Sequence, residues 1–365
     1  MKTILPRRTG KPARADPKTR KRQQRGSILI ELLVGVLVFG VLSAALTPIM
    51  RSVISMNDRA YDERHKLNNA LIGSALMTVA STSQLGRLPA PATSGSHSNS
   101  IYNPSDTSPI GLALTAALIQ SGLNMNEVND DGRAAALLRV YQSVSPDPLV
   151  TPLYFQNGPL VQLRYDVGVI YLTKCAKANT SCNPNPVTGI AGDSPRMTQS
   201  NFATWSSSGT DGPAFYVSSL PVQKMMLSNT VQRLERIRDA MLSYLRTQQL
   251  TASGSDTTNW YPNQNGLSSP GNRAGMNPMV NQGCRDGWYR LDDAASQILP
   301  RLGLSTMEYG KTAWGGSIEY CRDYDPTGSQ NSDEPPHYGA LRISSDVSSG
   351  QPPHSLPGNN VVLTF

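Results

Sequence analysis

The sequence predicts an α+β fold, in which one long N-terminal helix leads into two soluble head units of α/β type that contain antiparallel sheet. Residues 27–50 are almost uniformly apolar, and a helical pattern continues beyond them to about Ser83. Two later regions each combine an apolar helical stripe with strand-like alternation. We therefore expect four segments, at residues 1–26, 27–50, 51–220 and 221–365.

The composition excludes several classes of protein. Hydrophobic residues make up 38% of the 365 residues and charged residues 16%, with 30 Gly and 27 Pro. These values exclude collagen, a coiled-coil rod and a polytopic membrane protein, and they disfavour wholesale disorder. A loop-rich extracytoplasmic protein fits them better than a cytosolic enzyme.

The positive charge is concentrated at the N-terminus. Residues 1–26 contain ten Lys or Arg residues and one acid, Asp16, so this segment carries +9 although the whole chain carries +7. A basic tail can bind nucleic acid, but here an apolar segment follows at once, so we expect no nucleic-acid partner. Basic residues before a membrane segment predict a cytoplasmic N-terminus.

The apolar segment 27–50 is long enough to cross a membrane. It contains 24 residues and one charge, Glu31. As a helix it would span roughly 36 Å, against about 30 Å of hydrocarbon. Two alternatives are a secretory signal peptide, with a candidate cleavage region at Ser43-Ala44-Ala45, and an ordinary single-pass anchor.

Three residues stand in a characteristic register around this segment. Gly26 directly precedes it, Glu31 is the fifth residue after Gly26, and Pro48 is the twenty-second. The segment RGSILIELLVGVLVFGVLSAALTP resembles the N-terminus of type IV prepilins and pseudopilins. The resemblance implies that a prepilin peptidase cuts between Gly26 and Ser27, which makes residues 1–26 a cleaved leader. It also implies N-methylation of the new amino terminus and packing of the helix into a filament. The family often has Phe where this chain has Ser27, a departure that some minor subunits share.

Glu31 requires an explanation of its own, because a carboxylate inside a membrane helix costs about 2.5–3.5 kcal/mol. Cleavage after Gly26 creates an α-amine four residues earlier, and the resemblance implies that Glu31 neutralises the amine of a neighbouring subunit during assembly. The alternative is a glutamate that reaches the interface beside Arg25. Pro48 removes a backbone hydrogen bond and predicts a helix kink, or it marks the exit from the membrane.

The predicted heads begin on the amphipathic half of the long helix. Val53, Ala60, Leu67 and Leu71 form its expected apolar stripe. A short helix is expected over Ile110–Ser121. The alternation within residues 158–172 predicts a half-buried strand whose inward side chains are Val161, Leu163, Tyr165 and Val167.

Two further similarities concern the organisation of the heads. Residues 109–158 resemble, more loosely, the constant part of shufflon-type minor pilins of conjugative thin pili, with Gly132-Arg133 as the most distinctive pair. The second unit has a helix with an apolar stripe, formed by Leu227, Val231, Leu234, Met241 and Leu245. Both units follow the order helix, Pro-rich loop, short helix, Gly-Leu pair and strand. The Gly-Leu pairs are at residues 122–123 and 303–304. A duplicated head is one interpretation, and chance similarity is the other.

The four cysteines predict disulfides. None forms a CxxC pair, and in an oxidising periplasm sequential pairing, Cys175–Cys182 and Cys284–Cys321, is the simplest of three connectivities. A zinc site is the alternative, which the spacing does not support.

No catalytic pattern is present in the sequence. It lacks nucleophile-elbow, zinc-protease and phosphate-loop motifs, and its four histidines are scattered. We therefore expect no enzyme activity, no cofactor and no metal. Trp205, Trp260 and Trp288 lie in polar loops, where they contact a sugar or partner surface or else cover a local core.

These observations predict a structural protein, a minor pilin-like subunit of a type IV pilus with a role in adhesion or conjugative mating. The expected partners are prepilin peptidase, other pilin subunits, the inner membrane, the pilus assembly platform and, as a candidate, a cell-surface receptor. The chain would first lie in the inner membrane with periplasmic heads, and later in the pilus at the cell surface. The alternatives are a type II secretion pseudopilin and an anchored periplasmic binding protein that never polymerises.

Overall fold

The computed structural model describes residues 17–94, 97–131, 137–154, 158–176, 197–205, 214–263, 283–284, 287–325 and 335–365. The chain divides into two compact units, Met1–Glu63 and Arg64–Phe365. The fold is α+β, with helices and antiparallel sheets, as the sequence predicts.

The first unit is represented by helix α1 (Pro17–Ser83), which starts there and ends in the second unit. The predicted end near Ser83 is confirmed. The helix continues through Pro48, and whether Pro48 kinks it stays a prediction. Within the part of the chain that the structure describes, no helix has a stretch both long and apolar enough to cross a membrane.

The first half of the second unit contains the end of α1, helix α2 and three antiparallel sheets. Helix α2 runs over Pro109–Gln120, where the Ser108 hydroxyl accepts a hydrogen bond from the Gly111 N–H and Pro109 occupies the first turn. The strands are β1 (Ala92–Ser94), β2 (His97–Ser100), β3 (Leu137–Val144), β4 (Leu149–Pro152), β5 (Leu160–Leu163), β6 (Val167–Ala176) and β7 (Phe215–Ser218). An antiparallel sheet has the order β3-β6-β7, while β1-β2 and β4-β5 form separate two-stranded sheets.

One face of the β3-β6-β7 sheet packs against the two helices. Ile72 and Leu76 of α1 meet Leu114 and Leu118 of α2 in a core that also contains Tyr141 of β3. The opposite face carries a smaller cluster with Val140, Val169, Tyr171, Met197 and Trp205. The sheet is therefore apolar on both faces.

The second half is built around helix α3 (Leu220–Thr251), with Pro221 in its first turn. Its other elements are β8 (Tyr289–Arg290), α4 (Ile298–Arg301), α5 (Thr306–Tyr309), β9 (Glu319–Tyr324), β10 (Tyr338–Ser344) and β11 (Asn360–Thr364). The strands form an antiparallel sheet of order β11-β10-β9-β8. Leu234, Ile237 and Met241 of α3 pack against this sheet.

The β4-β5 hairpin belongs to the first half in sequence but contributes to the core of the second half. Val161 and Leu163 of β5, with Leu153 just after β4, lie in the same core cluster as Leu234 of α3 and Val361 of β11. The N–H of Gln162 also donates to the carbonyl of Ser345 at 2.8 Å. The domain boundary predicted near residue 220 stays a prediction, but residues on both sides of it share one core.

The two halves share an order of elements. Each has a long helix, a short helix, a left-handed glycine, a buried leucine and then three strands that pair antiparallel in sequence order, β3-β6-β7 and β9-β10-β11. The β4-β5 hairpin interrupts the first set, and in the second half β8 comes before the short helix. Gly122 and Gly303 both have positive φ, +76° and +69°, a conformation that suits glycine after a helix. The leucines that follow, Leu123 and Leu304, are buried.

The expected stripe on α1 is confirmed only at Leu71, which packs partly buried against the first core. Leu67 is 60% exposed and Val53 is exposed, whereas the face that packs in the core carries Ile72, Leu76 and Val79. The buried face begins with polar side chains, His65, Asn68 and Asn69, and hydropathy does not detect these.

The single strand expected within residues 158–172 is also wrong. Val161 and Leu163 are buried as predicted, but β5 ends at Leu163 and β6 begins at Val167, in a different sheet. Asp166, which lies between the predicted inward positions Tyr165 and Val167 and so would point to the opposite face of such a strand, is buried, because it accepts hydrogen bonds from other segments.

Candidate functional site

The sequence places the candidate functional residues at the start of α1. The backbone of Gly26, Ser27 and Glu31 is helical, but their side chains lie outside the described part of the structure. Pro48 is exposed within the helix. Their predicted roles in cleavage, assembly and kinking stay predictions.

Beyond Glu31, α1 presents an extended apolar surface, which we call the exposed α1 surface. Its large apolar side chains are each half exposed or more: Leu33, Val34, Val36, Leu37, Phe39, Leu46, Met50, Val53, Ile54 and Met56. Neighbouring positions such as 33, 34, 36 and 37 point in different directions around a helix, so the surface is not a single stripe. Apolar surface of this extent is unfavourable in water and marks a protein or lipid contact.

The second unit is held together by a buried carboxylate, Asp166. Arg87 donates to it from Nε at 2.8 Å and from Nη2 at 2.6 Å, and the Leu88 N–H donates at 2.9 Å. The backbone N–H of Asp166 donates to the Ser219 hydroxyl at 2.8 Å, directly before α3. The hydrogen bond and charge of Asp166 raise the pKa of Arg87, against the opposing effect of burial. Asp166 thus connects the end of α1, β6 and the start of α3.

A second buried polar group lies where α1 enters the second unit. Glu127 accepts hydrogen bonds from Arg64 and, at 3.0 Å, from Asn68. Arg139 of β3 donates to the carbonyl of Glu127, and its Nη2 lies 3.0 Å from Nδ1 of His65. These contacts fix the position of α1 on the first sheet.

The outer face of the second sheet contains a disulfide and a buried ion pair. The predicted Cys284–Cys321 bond is present, whereas the predicted Cys175–Cys182 pairing lies outside the described side chains. Arg342 of β10 is fully buried and donates from Nε to Glu319 of β9 at 3.0 Å. Its guanidinium lies 4.5 Å from the ring centre of Trp288, within cation–π range.

Two of the three tryptophans considered for ligand contact are core residues. Trp205 packs on the first sheet, with its ring centre 5.8 Å from that of Tyr171, and Trp288 packs beside the disulfide. Both are buried, so neither offers a surface for a sugar. Trp260 is half-buried.

Two buried tyrosines of the second unit form hydrogen bonds to the backbone of other segments. Burial raises the pKa of Tyr141 and Tyr320, whose hydroxyls donate to the carbonyls of Pro89 and Pro262. Among the described residues, no group of three or more His, Cys, Asp or Glu side chains could hold a metal ion.

In comparisons with known proteins, no protein-family model, no curated protein and no solved structure matches this chain. Its function must therefore be inferred from its own residues. The exposed α1 surface is an extended apolar feature that is not buried in either core. It is therefore the strongest candidate for a functional site.

Proposed function

We propose that the chain is a minor, pilin-like structural subunit of a type IV filament. A prepilin peptidase removes residues 1–26, and α1 anchors the subunit in the inner membrane before it packs into the filament. The observation that carries this proposal is the exposed α1 surface, which directly follows a basic segment and the sequence register of Gly26, Glu31 and Pro48. Both lipid and a bundle of like helices would cover such a surface.

The second unit supports a role in display. Its two halves share an order of elements, which is consistent with two pilin-like heads in one chain. Asp166 and the β4-β5 hairpin join them into one body. A large folded unit that follows a membrane helix in the chain suits exposure at a tip or on the side of a filament, where a cell-surface receptor is a candidate partner.

N-terminal sequencing and mass measurement of the membrane-extracted protein test the proposal. We expect a mature chain that begins at methylated Ser27. Gly26→Ala should accumulate unprocessed, because a peptidase that fits closely around glycine has no room for a Cβ atom. Ser43→Leu is the matched control, because it disrupts the alternative signal-peptide site and should leave processing unchanged.

The result separates the classes of function. An intact Met1 would contradict the pilin-like proposal and favour an anchored binding protein. A mature chain that starts after Ala45 would also contradict the proposal. Cleavage before Ser27 fits both a pilus subunit and a type II secretion pseudopilin. Purification of sheared surface filaments that contain the chain distinguishes the pilus subunit.

A further inference from the structure

The first turns of α1 inside the second unit are held in place by polar side chains. The second unit begins at Arg64, and the first buried apolar residue of the helix within it is Ile72. Between these two positions the buried side chains are polar: His65, Asn68 and Asn69. The attachment of about two helical turns to the first sheet therefore depends on hydrogen bonds and charges.

The contact between His65 and Arg139 of β3 requires a neutral imidazole. Nη2 of Arg139 lies 3.0 Å from Nδ1 of His65. A guanidinium can only donate and keeps its charge, so Nδ1 accepts the hydrogen bond and the ring carries its proton on Nε2. Nη1 of the same guanidinium donates to the carbonyls of Glu127 and Val128, which hold it beside the ring. His65 and Arg139 are each only 2% exposed, so water screens the contact weakly.

Other charged groups lie around this contact. The segment before β3 carries three buried carboxylates, and it adjoins Arg139, whose N–H donates to the carbonyl of Asn129 at 2.8 Å. The carboxylate of one of them, Glu127, already accepts from Arg64 and Asn68. The acids on that segment are Glu127, Asp130 and Asp131, and the charged neighbours on α1 are Asp62, Glu63, Arg64 and Lys66.

The opposing charges act on His65 in opposite directions. Buried carboxylates favour a charged imidazole, whereas the guanidinium in direct contact with Nδ1 disfavours it. The guanidinium has the stronger effect, because a proton on Nδ1 would break the hydrogen bond and leave two donors, both positively charged, facing each other.

We propose that His65 and Arg139 form a pH-sensitive latch, in which the neutral imidazole holds the first turns of α1 on β3 and protonation of His65 lets them open. Ile72 and Leu76 keep the rest of the helix in the first core, so only residues 64–71 are released. The inference goes beyond the proposed function, because it depends on neither cleavage nor assembly. Release would add on the order of 12 Å of helix to the part of α1 that the second unit does not hold.

Hydrogen–deuterium exchange of the full-length, detergent-solubilised chain at pH 7.5 and pH 5.5 tests the latch. Histidine ordinarily has a pKa of about 6.5, so the stability that the neutral ring contributes is present above that pH and is lost as pH falls below it. Uptake of one proton on opening makes opening up to about tenfold easier per pH unit. After correction for the pH dependence of exchange itself, protection over residues 65–71 should fall about tenfold in the wild type, and protection in the middle of α3 should not change.

His65→Gln is the diagnostic variant, because its amide oxygen can accept from Arg139 and does not titrate. Its protection over residues 65–71 should be the same at both pH values. His354→Gln, at an exposed histidine, is the matched control and should keep the wild-type response. Equal protection at both pH values in the wild type would overturn the inference. A response that persists in His65→Gln would also overturn it, since the response would then belong to a carboxylate such as Glu127.

A second measurement keeps the inference testable if His65→Gln fails to fold. Replacement of His97, His337 and His354 by Gln leaves His65 as the only histidine of the chain. Nitrogen-15 spectra of its ring then report both charge and tautomer. We expect a neutral ring with its proton on Nε2 at pH 7.5, and a ring that is still mostly neutral at pH 6.5, where a free histidine is about half charged. A ring that is half charged or more at pH 6.5, or that carries its proton on Nδ1, would refute the latch.

Discussion

Trp314 donates its indole N–H to the side-chain carbonyl oxygen of Gln223, 2.8 Å away. Both side chains are fully buried. The amide group of Gln223 in turn donates to the carbonyl of Leu85 at 3.0 Å. A single glutamine therefore joins the first turn of α3, the segment just after α1 and the loop before β9.

Gln223→Leu should destabilise the second unit by about 1–3 kcal/mol, because the buried indole N–H of Trp314 loses its hydrogen-bond acceptor. Chemical unfolding of the detergent-solubilised chain, followed by tryptophan fluorescence, measures the change. Gln232→Leu on the exposed face of the same helix is the control and should shift the midpoint little. Equal midpoints for the two variants would show that Gln223 is not a structural link.

Removal of the Cys284–Cys321 bond should also loosen the second unit. The bond joins residues 37 positions apart, and a loop of this size constrains the unfolded chain by about 3–4 kcal/mol. The double variant C284A/C321A should unfold at a lower denaturant concentration and still insert into the membrane, since α1 makes no use of the bond. Peptide mapping without reductant checks the pairing, and a link from Cys182 to Cys284 would contradict it.

The buried pair of Arg342 and Glu319 should respond asymmetrically to substitution. Glu319→Gln leaves a buried guanidinium without its counter-charge, which costs about 3–5 kcal/mol. The double variant Arg342→Met with Glu319→Leu should be less destabilised than Glu319→Gln, because no buried charge remains. The unfolding midpoints of the two variants test this prediction. A lower midpoint for the double variant than for Glu319→Gln would refute the argument.

Stability at low pH should depend on Asp292. Burial acts to raise its pKa, but the hydrogen bonds and charge of Arg290, with Ser317 and Lys311, lower it below the usual value. A carboxyl whose pKa is lower in the folded state contributes stability above its unfolded pKa of about 3.9 and loses it as pH falls further. Asp292→Asn should therefore lower the unfolding midpoint at pH 7 and bring variant and wild type closer together near pH 2. Glu308→Gln, an exposed acid on α5, should not reproduce this convergence.

Glu31→Ala should insert into the membrane and be cut before Ser27, yet assemble poorly. Removal of the carboxylate eases insertion by about 2.5–3.5 kcal/mol but leaves a neighbour's α-amine unpaired in an apolar environment. Immunoblots of sheared filaments and membranes compare the variant with wild type and with the conservative variant Glu31→Asp. Full recovery of Glu31→Ala in filaments would exclude a role for Glu31 in assembly.

Local patterns predicted the helices well. The end of α1 near Ser83 follows from apolar periodicity and from Gly86 and Pro89. Helix α2, expected over Ile110–Ser121, is found over Pro109–Gln120. The α3 stripe is confirmed: Leu234 and Met241 are fully buried, and Leu227, Val231 and Leu245 pack partly buried against the same core. Ile237, also buried there, was missed.

The features that the sequence did not predict involve polar side chains that are buried against partners far away in the sequence. His65 and Asn68 are buried because Arg139 and Glu127, about 60 or more residues away, satisfy them. Asp166 interrupts an apparent strand because Arg87, 79 residues earlier, binds its carboxylate. The alternation through residue 166 looked continuous, and only the position of Arg87 in the fold shows why the chain turns there.

The β4-β5 hairpin also imposes an order on biosynthesis. Val161 and Leu163 find their permanent neighbours on α3 and on β11, and Val361 is made about 200 residues later. At roughly 5–20 residues per second, the ribosome needs on the order of 10–40 seconds to reach it. During that interval, the apolar face of the hairpin is exposed on the incompletely synthesised chain. We expect a chaperone that shields nascent chains to bind this face. A chain that terminates early, after β7, would be an aggregation-prone fragment rather than an independently folded half.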